Sequence, residues 1–256
     1  FLPSDREGLM GLAESLDLPL SLVTRRVEAL SEFNPMLGMR GVRLGVTMPE
    51  IYDMQVRAIF EATVLASRQA GAAVVPEIMI PLVSAKREVE LVKGRIDSVA
   101  AAVRIETGPD FDFRLGVMVE TPRAALRAGE IAAHAAFLSF GTNDLTQMTY
   151  GLSRDDAGRF MGTYVSNGVF HEDPFHSLDR EGVGELLLLG AERGRMTRPD
   201  VTLSVCGEHG GAPDTIAFCR EAGFDYVSCS PFRVPVARLA AAHLALRDPR
   251  ATKSED

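Results

Sequence analysis

Short apolar runs alternate along the chain with longer helical patterns, and this alternation most constrains the fold. One such helical pattern follows residue 84, where valine and isoleucine recur at spacings of three and four, as one helix face requires. It includes Val89, Val92, Ile96, Val99 and Val103. The runs that predict strands occupy residues 74–83, 114–120, 136–139, 201–206 and 225–230. Each strand followed by a helix is typical of a parallel sheet.

A further strand and helix are predicted near the start of the chain. Residues 39–46 could form a short strand, and Thr47 with Glu50 three residues later has the spacing of a capping box. This makes six β-α units. Neither G-x-G-x-x-G nor G-x-x-x-x-G-K-[ST] occurs, which weakens the alternative of an open nucleotide-binding sheet. We expect residues 145–200 to be an insertion with its own helix at roughly 179–193, and residues 247–256 to be a polar tail.

The composition excludes several classes of protein. Of the 256 residues, 46% are hydrophobic and 24% charged, which is the balance of a globular chain. The formal net charge of −8 argues against a protein that coats nucleic acid. No apolar run approaches the roughly 18 residues that a membrane span needs. The three cysteines are too few for a disulfide framework, so we expect a cytoplasmic protein without nucleic-acid or membrane partners.

Polar residues stand where three of the predicted strands end. Glu120 ends one strand, Asp144 follows the next, and Cys206 ends a later one. In parallel α/β folds these ends meet at one edge of the sheet, and two carboxylates there can hold a hard cation such as Mg²⁺. The alternative is that Glu120 caps the following helix and Asp144 forms a local turn. The pair at matching strand ends favours the metal site.

Arg40 and Cys206 each have both a functional and a structural interpretation. Arg40, between Gly38 and Gly41, could grip a carboxylate or phosphate, although a solvated arginine fits the pattern as well. Cys206 lies beside glycines, where a thiol could reach a substrate carbon, but most buried cysteines are inert. Cys206 and His209 could be half of a zinc site, but no second pair is found.

Four segments of the chain carry a family resemblance. They are residues 34–62, LGVMVETPRAAL (115–126), SFGTNDLTQMTYGLSRDDAGRF (139–160) and CGEHGG (206–211). With them, nearly the whole chain resembles the C-terminal phosphoenolpyruvate/pyruvate-binding domain of the pyruvate, phosphate dikinases. These belong to the wider superfamily of phosphoenolpyruvate (PEP)-utilising enzymes.

The resemblance implies a TIM (β/α)8 barrel, spanning residues 1–246 as one domain. It implies a kinase-type transferase that interconverts pyruvate and PEP through a Mg²⁺-stabilised enolate, with a phosphohistidine on a separate domain as phosphoryl donor and acceptor. Cys206 matches the acid/base at pyruvate C3, and Arg40 matches a contact to the phosphoryl group. The Mg²⁺ ligands, which also bind substrate, match Glu120 and Asp144. Further substrate contacts match Gly141, Thr142 and Asn143.

The chain also departs from the family pattern. Its first residues align after the family's second barrel strand, so the barrel is expected to lack two strands and a phosphate-binding arginine. The phosphohistidine and ATP-grasp domains are absent from these residues. We therefore expect a partial barrel from a longer polypeptide, inactive alone in the full reaction, whose parent is a homodimer. Two alternatives stay open: a Mg²⁺-dependent 2-oxo-acid lyase or aldolase, and a catalytically silent piece with a dimerisation or regulatory role.

Overall fold

The computed structural model describes residues 2–108 and 110–247. Of these residues, those up to Arg40 form one compact unit, and those from Gly41 onward form a second. In the first unit, α1 (Arg6–Leu16) and α2 (Leu20–Leu30) precede a short 3-10 helix at Pro35–Leu37. Asp5 caps α1, because its carboxylate accepts a hydrogen bond of 2.9 Å from the Gly8 N–H. That the chain is a single domain over residues 1–246 remains a prediction.

The second unit is built on a parallel sheet of five strands. Their order in the sheet, β1-β2-β3-β4-β5, is also their order in the chain. Each strand pairs in parallel with the next. The strands are β1 (Glu77–Ile80), β2 (Arg114–Val119), β3 (Phe137–Gly141), β4 (Thr202–Cys206) and β5 (Tyr226–Val227).

Helices connect the strands in the second unit. Two of 22 residues each, α4 and α5, pack against one another near β1. The helices are α3 (Val42–Thr47), α4 (Pro49–Ala70), α5 (Lys86–Thr107), α6 (Pro122–Leu126), α7 (Ala128–Ala132), α8 (Thr142–Tyr150), α9 (Arg154–Ala157), α10 (Met161–Ser166), α11 (Val183–Thr197), α12 (Pro213–Glu221) and α13 (Val234–Arg247).

The two faces of the sheet differ in character because successive side chains of a strand point to opposite sides. One face is apolar and joins the helices in a single core, in which Phe60 of α4 packs on Phe111 and Phe113 with ring centroids about 5 Å apart. The strand side chains in this core include Ile80, Leu115, Val117, Val119, Leu138, Phe140, Leu203 and Val205. The alternate positions on the other face carry Glu77, Arg114, Met118, Ser139, Ser204 and Cys206.

Most of the predicted elements are confirmed. Pro76 and Pro81 flank β1, as proline at strand ends predicts. Four of the five residues of the predicted α5 stripe are buried, and Val99 is half-buried. Thr121 caps α6 by accepting a hydrogen bond from the Ala124 N–H at 3.1 Å. α5 ends at Thr107, and Gly108 directly after it is the C-cap, as predicted; the second residue of that signal, Pro109, lies outside the described residues.

The predicted strand at 39–46 is wrong, so the sheet has five strands where six units were expected. Residues 42–47 form α3, which begins after Gly41 at φ +58°. The buried positions are Val42 and Gly45, three apart, which matches a helix turn rather than the alternation of a strand. A Cβ on Gly45 would lie 2.7 Å from the Tyr52 ring, so this glycine lets α3 and α4 approach closely.

The predicted capping box at Thr47 is also wrong. Thr47 is the last residue of α3, and its hydroxyl donates a hydrogen bond of 2.7 Å to the Arg43 carbonyl. α4 then begins at Pro49, a favoured residue at the first helical position because its missing N–H is not needed there.

The long connection between β3 and β4 holds the predicted extra helix, which begins later than expected. α11 starts at Val183, and Asp179 lies just outside it. The Asp179 carboxylate accepts hydrogen bonds from the N–H groups of Val183 and of Gly182, the N-cap residue, so it binds the start of the helix from outside. α13 reaches Arg247, and the rest of the predicted tail, 248–256, lies outside the described residues.

Within residues 2–108 and 110–247, the helices are too short or too polar for any of them to cross a lipid bilayer.

Candidate active site

The carboxyl ends of β2, β3 and β4 lie side by side at one edge of the sheet. Val119 is paired with Phe140, and Gly141 is paired with Cys206. Apart from Arg40, the residues predicted to be functional end these strands or follow them within three residues. This edge, consisting of Glu120, Gly141–Asp144 and Cys206, is called the carboxyl edge below.

Glu120 is a buried carboxylate directly after β2. Only 6% of the residue is exposed, and its Oε1 accepts a hydrogen bond of 2.6 Å from the Leu82 N–H after β1. Burying a carboxylate is costly unless it is hydrogen-bonded or paired with a charge, and the bond from Leu82 offsets part of this cost. The helix cap that was the structural alternative for Glu120 belongs to its neighbour Thr121.

Gly141 gives the Glu120 carboxylate room at the end of β3. A Cβ built on Gly141 would lie 2.9 Å from Glu120 Oε2 and 3.0 Å from Met118 Sδ. The backbone here has φ −84°, which any residue adopts, so the need for glycine is one of space. The close approach brings the Glu120 side chain across from β2 onto β3.

Asp144 and Asn143 stand in the first turn of α8, directly after β3. Asp144 is half-buried, and its Oδ1 accepts a hydrogen bond of 3.2 Å from the Gln147 side-chain amide. The side-chain oxygen of Gln147 in turn accepts a hydrogen bond of 2.7 Å from the Arg154 backbone N–H. Acidic residues are stabilised at a helix N-terminus, where the helix dipole is positive.

Cys206 ends β4 on the same face of the sheet as Ser139. Its thiol lies 3.6 Å from the Phe140 carbonyl oxygen, to which it can donate. Burial raises the pKa of the Cys206 thiol, and the nearby negative charge of Glu120 adds to this, while a hydrogen bond with Ser139 opposes it. At neutral pH the thiol is therefore protonated, which suits a proton donor.

The turn after Cys206 interlocks with the turn after β3. Gly207 has φ +105°, and a Cβ there would lie 2.9 Å from Thr142 Oγ1 and 3.0 Å from Asn143 Oδ1. Asn143 Oδ1 accepts a hydrogen bond of 3.1 Å from the Glu208 N–H. Glycine is thus required at 207 both by its backbone conformation and by space.

His209 is fully buried behind this turn. Its Nδ1 lies 2.8 Å from Thr142 Oγ1, and its Nε2 lies 3.0 Å from the carbonyl oxygen of Pro174 in the long connection. Burial lowers the pKa of His209 most, and the charges of Arg154 and His176 act in the same direction. The hydrogen bond to Pro174 and the charge of Glu208 oppose this shift.

Leu82 brings backbone strain to the same edge. Its φ of +57° is unusual for a leucine, and such conformations cost about 1–3 kcal/mol each. The conformation directs the Leu82 N–H at Glu120, and packing of the buried side chain against Gly41 holds it there. Strain of this kind is concentrated at functional sites.

Arg40 is the last residue of the first unit. It follows the 3-10 helix at Pro35–Leu37, and its Nε donates a hydrogen bond of 2.7 Å to the Met36 carbonyl. That Arg40 contacts an anion stays a prediction.

The donor set at this edge suits magnesium better than zinc. Among the residues that the structure describes, no cluster of three or more His, Cys, Asp or Glu side chains could hold a metal ion. A structural zinc ion needs four such ligands, and both His209 nitrogens contact protein oxygens. Mg²⁺ commonly takes only one or two carboxylates and keeps waters or substrate oxygens as its other ligands.

Sequence reasoning missed four contributors to this edge. Leu82 acts through its backbone N–H, which no sequence pattern reveals, although its place after a strand was a weak signal. Ser139 and Gln147 are the first and last residues of the SFGTNDLTQ segment, which the resemblance had already marked. His209 stood in the CGEHGG segment and was considered only as half of a zinc site.

Comparison with known proteins identifies the family to which the chain belongs. Residues 8–246 match the family described as PEP-utilising enzyme, PEP-binding domain. The pyruvate, phosphate dikinase of Rhizobium meliloti (strain 1021) is 57% identical over 246 residues, which is 96% of this chain and 27% of that protein. The pyruvate, phosphate dikinase of Clostridium symbiosum is 51% identical over 248 residues, 97% of this chain and 28% of that protein.

Among solved structures, a citrate lyase from Burkholderia xenovorans LB400 aligns with 72% of this chain and 58% of its own, at 19% identity and a TM-score of 0.46. The chain thus spans about a quarter of the length of the two dikinases. Because the family match runs through almost all of its residues, the chain belongs to the PEP-binding domain family of the PEP-utilising enzymes.

Proposed function

We propose that this chain is the pyruvate- and PEP-binding part of a pyruvate, phosphate dikinase. The observation that carries the proposal is the placement of the Cys206 thiol at the carboxyl edge, in register with Gly141 and close enough to the buried Glu120 carboxylate to sense its charge. The identity to two dikinases supports it. An acid/base group at the same sheet edge as two carboxylates suits enolisation of a 2-oxo acid.

We also propose that the five strands belong to a (β/α)8 barrel. Crossovers between parallel strands are right-handed, so a sheet whose strands follow chain order places its helices on one face. An open doubly wound sheet instead reverses its strand order and covers both faces. The order from β1 to β5 and the restriction of the apolar core to one face both favour a closed barrel, with the face of Ser139 and Ser204 inside.

Glu120 and Asp144 are the residues that would hold Mg²⁺. Glu120 lies against Gly141, and Asp144 stands three residues farther on, so both carboxylates belong to the end of β3. Bound there, the ion would supply positive charge beside the oxygen that becomes negative when pyruvate loses a methyl proton.

The residues of this chain account for the proton transfer. The Cys206 thiolate would take a proton from the pyruvate methyl group, the C–H electron pair would form the new C=C bond, and the carbonyl oxygen would become the enolate oxygen. In the reverse direction the thiol would return the proton to C3. Its raised pKa favours the protonated form, which serves the direction from PEP to pyruvate.

Phosphoryl transfer then joins the enolate oxygen to phosphorus while the bond from phosphorus to a histidine nitrogen breaks. The resemblance assigns this histidine to a separate domain, and Arg40 would neutralise charge on the phosphoryl oxygens. The phosphohistidine domain, the ATP-grasp domain and the homodimer all belong to this proposal. Cytoplasmic localisation stays a prediction.

Solvent deuterium exchange at pyruvate C3 tests the proposal. In the full-length protein with Mg²⁺, we expect exchange that Cys206→Ala slows by about 10²-fold or more, because a general acid/base group contributes that much. Cys229→Ala, at another half-buried cysteine, is the matched control and should leave the rate unchanged. Equal rates in the two variants would refute the role of Cys206.

Isotope exchange between pyruvate and PEP separates the dikinase from the alternatives. A dikinase equilibrates label between the two compounds, whereas a 2-oxo-acid lyase or aldolase makes or breaks a carbon–carbon bond. A catalytically silent piece would do neither in the full-length protein. Loss of label to a cleavage product would replace the proposed function with lyase chemistry.

A further inference from the structure

His209 joins three segments that are far apart in sequence. It belongs to the turn after β4, its Nδ1 lies 2.8 Å from Thr142 at the start of α8, and its Nε2 lies 3.0 Å from Pro174 in the long connection. The imidazole is fully buried. A buried imidazole with both nitrogens in contact at these distances holds its neighbours in one geometry.

The partners of His209 determine which of its nitrogens carries the proton. The Pro174 carbonyl can only accept, so Nε2 must carry hydrogen and donate. In the neutral ring Nδ1 is then an acceptor, so the Thr142 hydroxyl has two acceptors within reach of its single hydrogen: Nδ1 at 2.8 Å and the Cys206 carbonyl oxygen at 3.1 Å. Burial favours this neutral ring. These two acceptors together hold the Thr142 side chain in one rotamer.

Thr142 is also the point where the two turns of the carboxyl edge touch. Its Oγ1 lies 3.1 Å from the Cys206 carbonyl oxygen and beside Gly207. The next residue, Asn143, accepts a hydrogen bond from the Glu208 N–H. A rotation of the Thr142 side chain would therefore disturb the backbone that carries both Cys206 and Asn143.

We propose that His209 is a positioning residue for the proposed reaction: through its hydrogen bond with Thr142 it holds the turn after β4 against the start of α8 and so sets the place of the Cys206 thiol. It does not itself contact substrate. The inference rests on the proposed function for its consequence in catalysis, but the geometry it asserts can be tested without activity.

Two substitutions separate the two contacts of His209. The amide of His209→Asn reaches about as far as Nδ1, so it keeps a partner for Thr142 and loses Pro174. The amide of His209→Gln reaches about as far as Nε2, so it keeps Pro174 and loses Thr142. Each variant removes one buried hydrogen bond, and we expect similar losses in Tm.

The catalytic readout is deuterium exchange at saturating pyruvate in the full-length protein. We expect His209→Gln to lower the rate by about tenfold or more, since small misplacements of a catalytic group have large effects. His209→Asn should restore most of the wild-type rate despite an equal loss of Tm. Rates that follow Tm alike in both variants would mean that His209 only stabilises the fold.

The second readout is alkylation of Cys206 by iodoacetamide, followed by mass spectrometry with Cys229 as internal reference. A loosened turn exposes the half-buried thiol, so alkylation should be several times faster in His209→Gln than in His209→Asn or the wild type. Equal alkylation rates in the two variants would overturn the inference. If the wild type exchanges no deuterium while this difference persists, the proposed function fails and the positioning role stands.

Discussion

The polar face of the sheet carries charged side chains at both ends of its strands, and the two ends hold them differently. At the amino ends, which we call the amino edge, Arg114 of β2 forms an ion pair with Glu77 of β1 and donates to Thr202 of β4. Both charged side chains are about 40% exposed. Charges of opposite sign thus meet across neighbouring strands in contact with solvent.

At the carboxyl edge, neutral backbone and side-chain groups donate to the carboxylates. Glu120 accepts from the Leu82 N–H, and Asp144 accepts from the Gln147 amide. Glycine at 141 keeps the space around Glu120 open, and a leucine in a left-handed conformation supplies its donor. At the amino edge the charged side chains pair with one another, whereas at the carboxyl edge the carboxylates share the strand ends with a thiol. We infer that only the second arrangement serves chemistry.

The two edges should differ most in how a glutamate-to-glutamine substitution changes the rate of deuterium exchange. We expect Glu120→Gln to slow deuterium exchange at pyruvate C3 by about 10²-fold or more, because it removes charge from the site where charge develops. Glu77→Gln makes the same chemical change on the same face and should stay within about twofold of the wild type. A comparable loss in both variants would erase the distinction between the edges.

Filling the space at Gly141 should have the next largest effect. The methyl group of Gly141→Ala would displace the Glu120 carboxylate, so we expect exchange to fall by about tenfold or more and stability by about 1–3 kcal/mol. Gly158→Ala is the control, since its Cβ would meet nothing within 4 Å. Denaturant unfolding and the exchange assay measure the two effects. Wild-type exchange in Gly141→Ala would show that Glu120 needs no such room.

The pH dependence of exchange tests the environment of Cys206. A raised thiol pKa means that the thiolate, which removes the proton from pyruvate, is a minor form at neutral pH. Exchange should therefore increase about tenfold per pH unit between pH 7 and 8 and level off only above the ordinary thiol pKa of about 8.5. The reverse protonation of the enolate, which needs the thiol, should be constant over that range. A plateau in exchange below pH 7 would mean that the edge lowers the thiol pKa.

The smallest effect is expected from the ion pair at the amino edge. Replacing Glu77 by glutamine should change the free energy of unfolding by about 0–1 kcal/mol, because its pair with Arg114 is exposed and screened by salt. Urea unfolding at low and high salt would measure it. A loss of several kcal/mol would show that the amino edge also depends on its charges.

The fold was predictable where side-chain periodicity reports burial. The α5 stripe and the strands around Ile80 and Val117 follow from spacing, because one face of each must enter the core. The segment around Val42 misled the same reasoning. Its apolar residues satisfy both a strand and a short helix, and the decision came from Gly41 in a left-handed conformation and from close packing of Gly45 on Tyr52.

The candidate site was predictable only as far as residue types at strand ends allow. Glu120, Asp144 and Cys206 are chemically distinctive and follow strands, so pattern alone indicated them. Leu82 and His209 act through a backbone N–H and through a contact 67 residues away in sequence. Such partners are fixed by tertiary packing. For Arg40, the contact with an anion stays a prediction.

Binding of a divalent cation tests the central claim most directly. We expect Mn²⁺, followed by electron paramagnetic resonance in the full-length protein, to bind at least about tenfold more weakly in Glu120→Gln and in Asp144→Asn than in the wild type. Glu77→Gln should bind it as the wild type does. Unchanged Mn²⁺ affinity in both carboxyl-edge variants would contradict the account, because these two carboxylates would then not form the metal site.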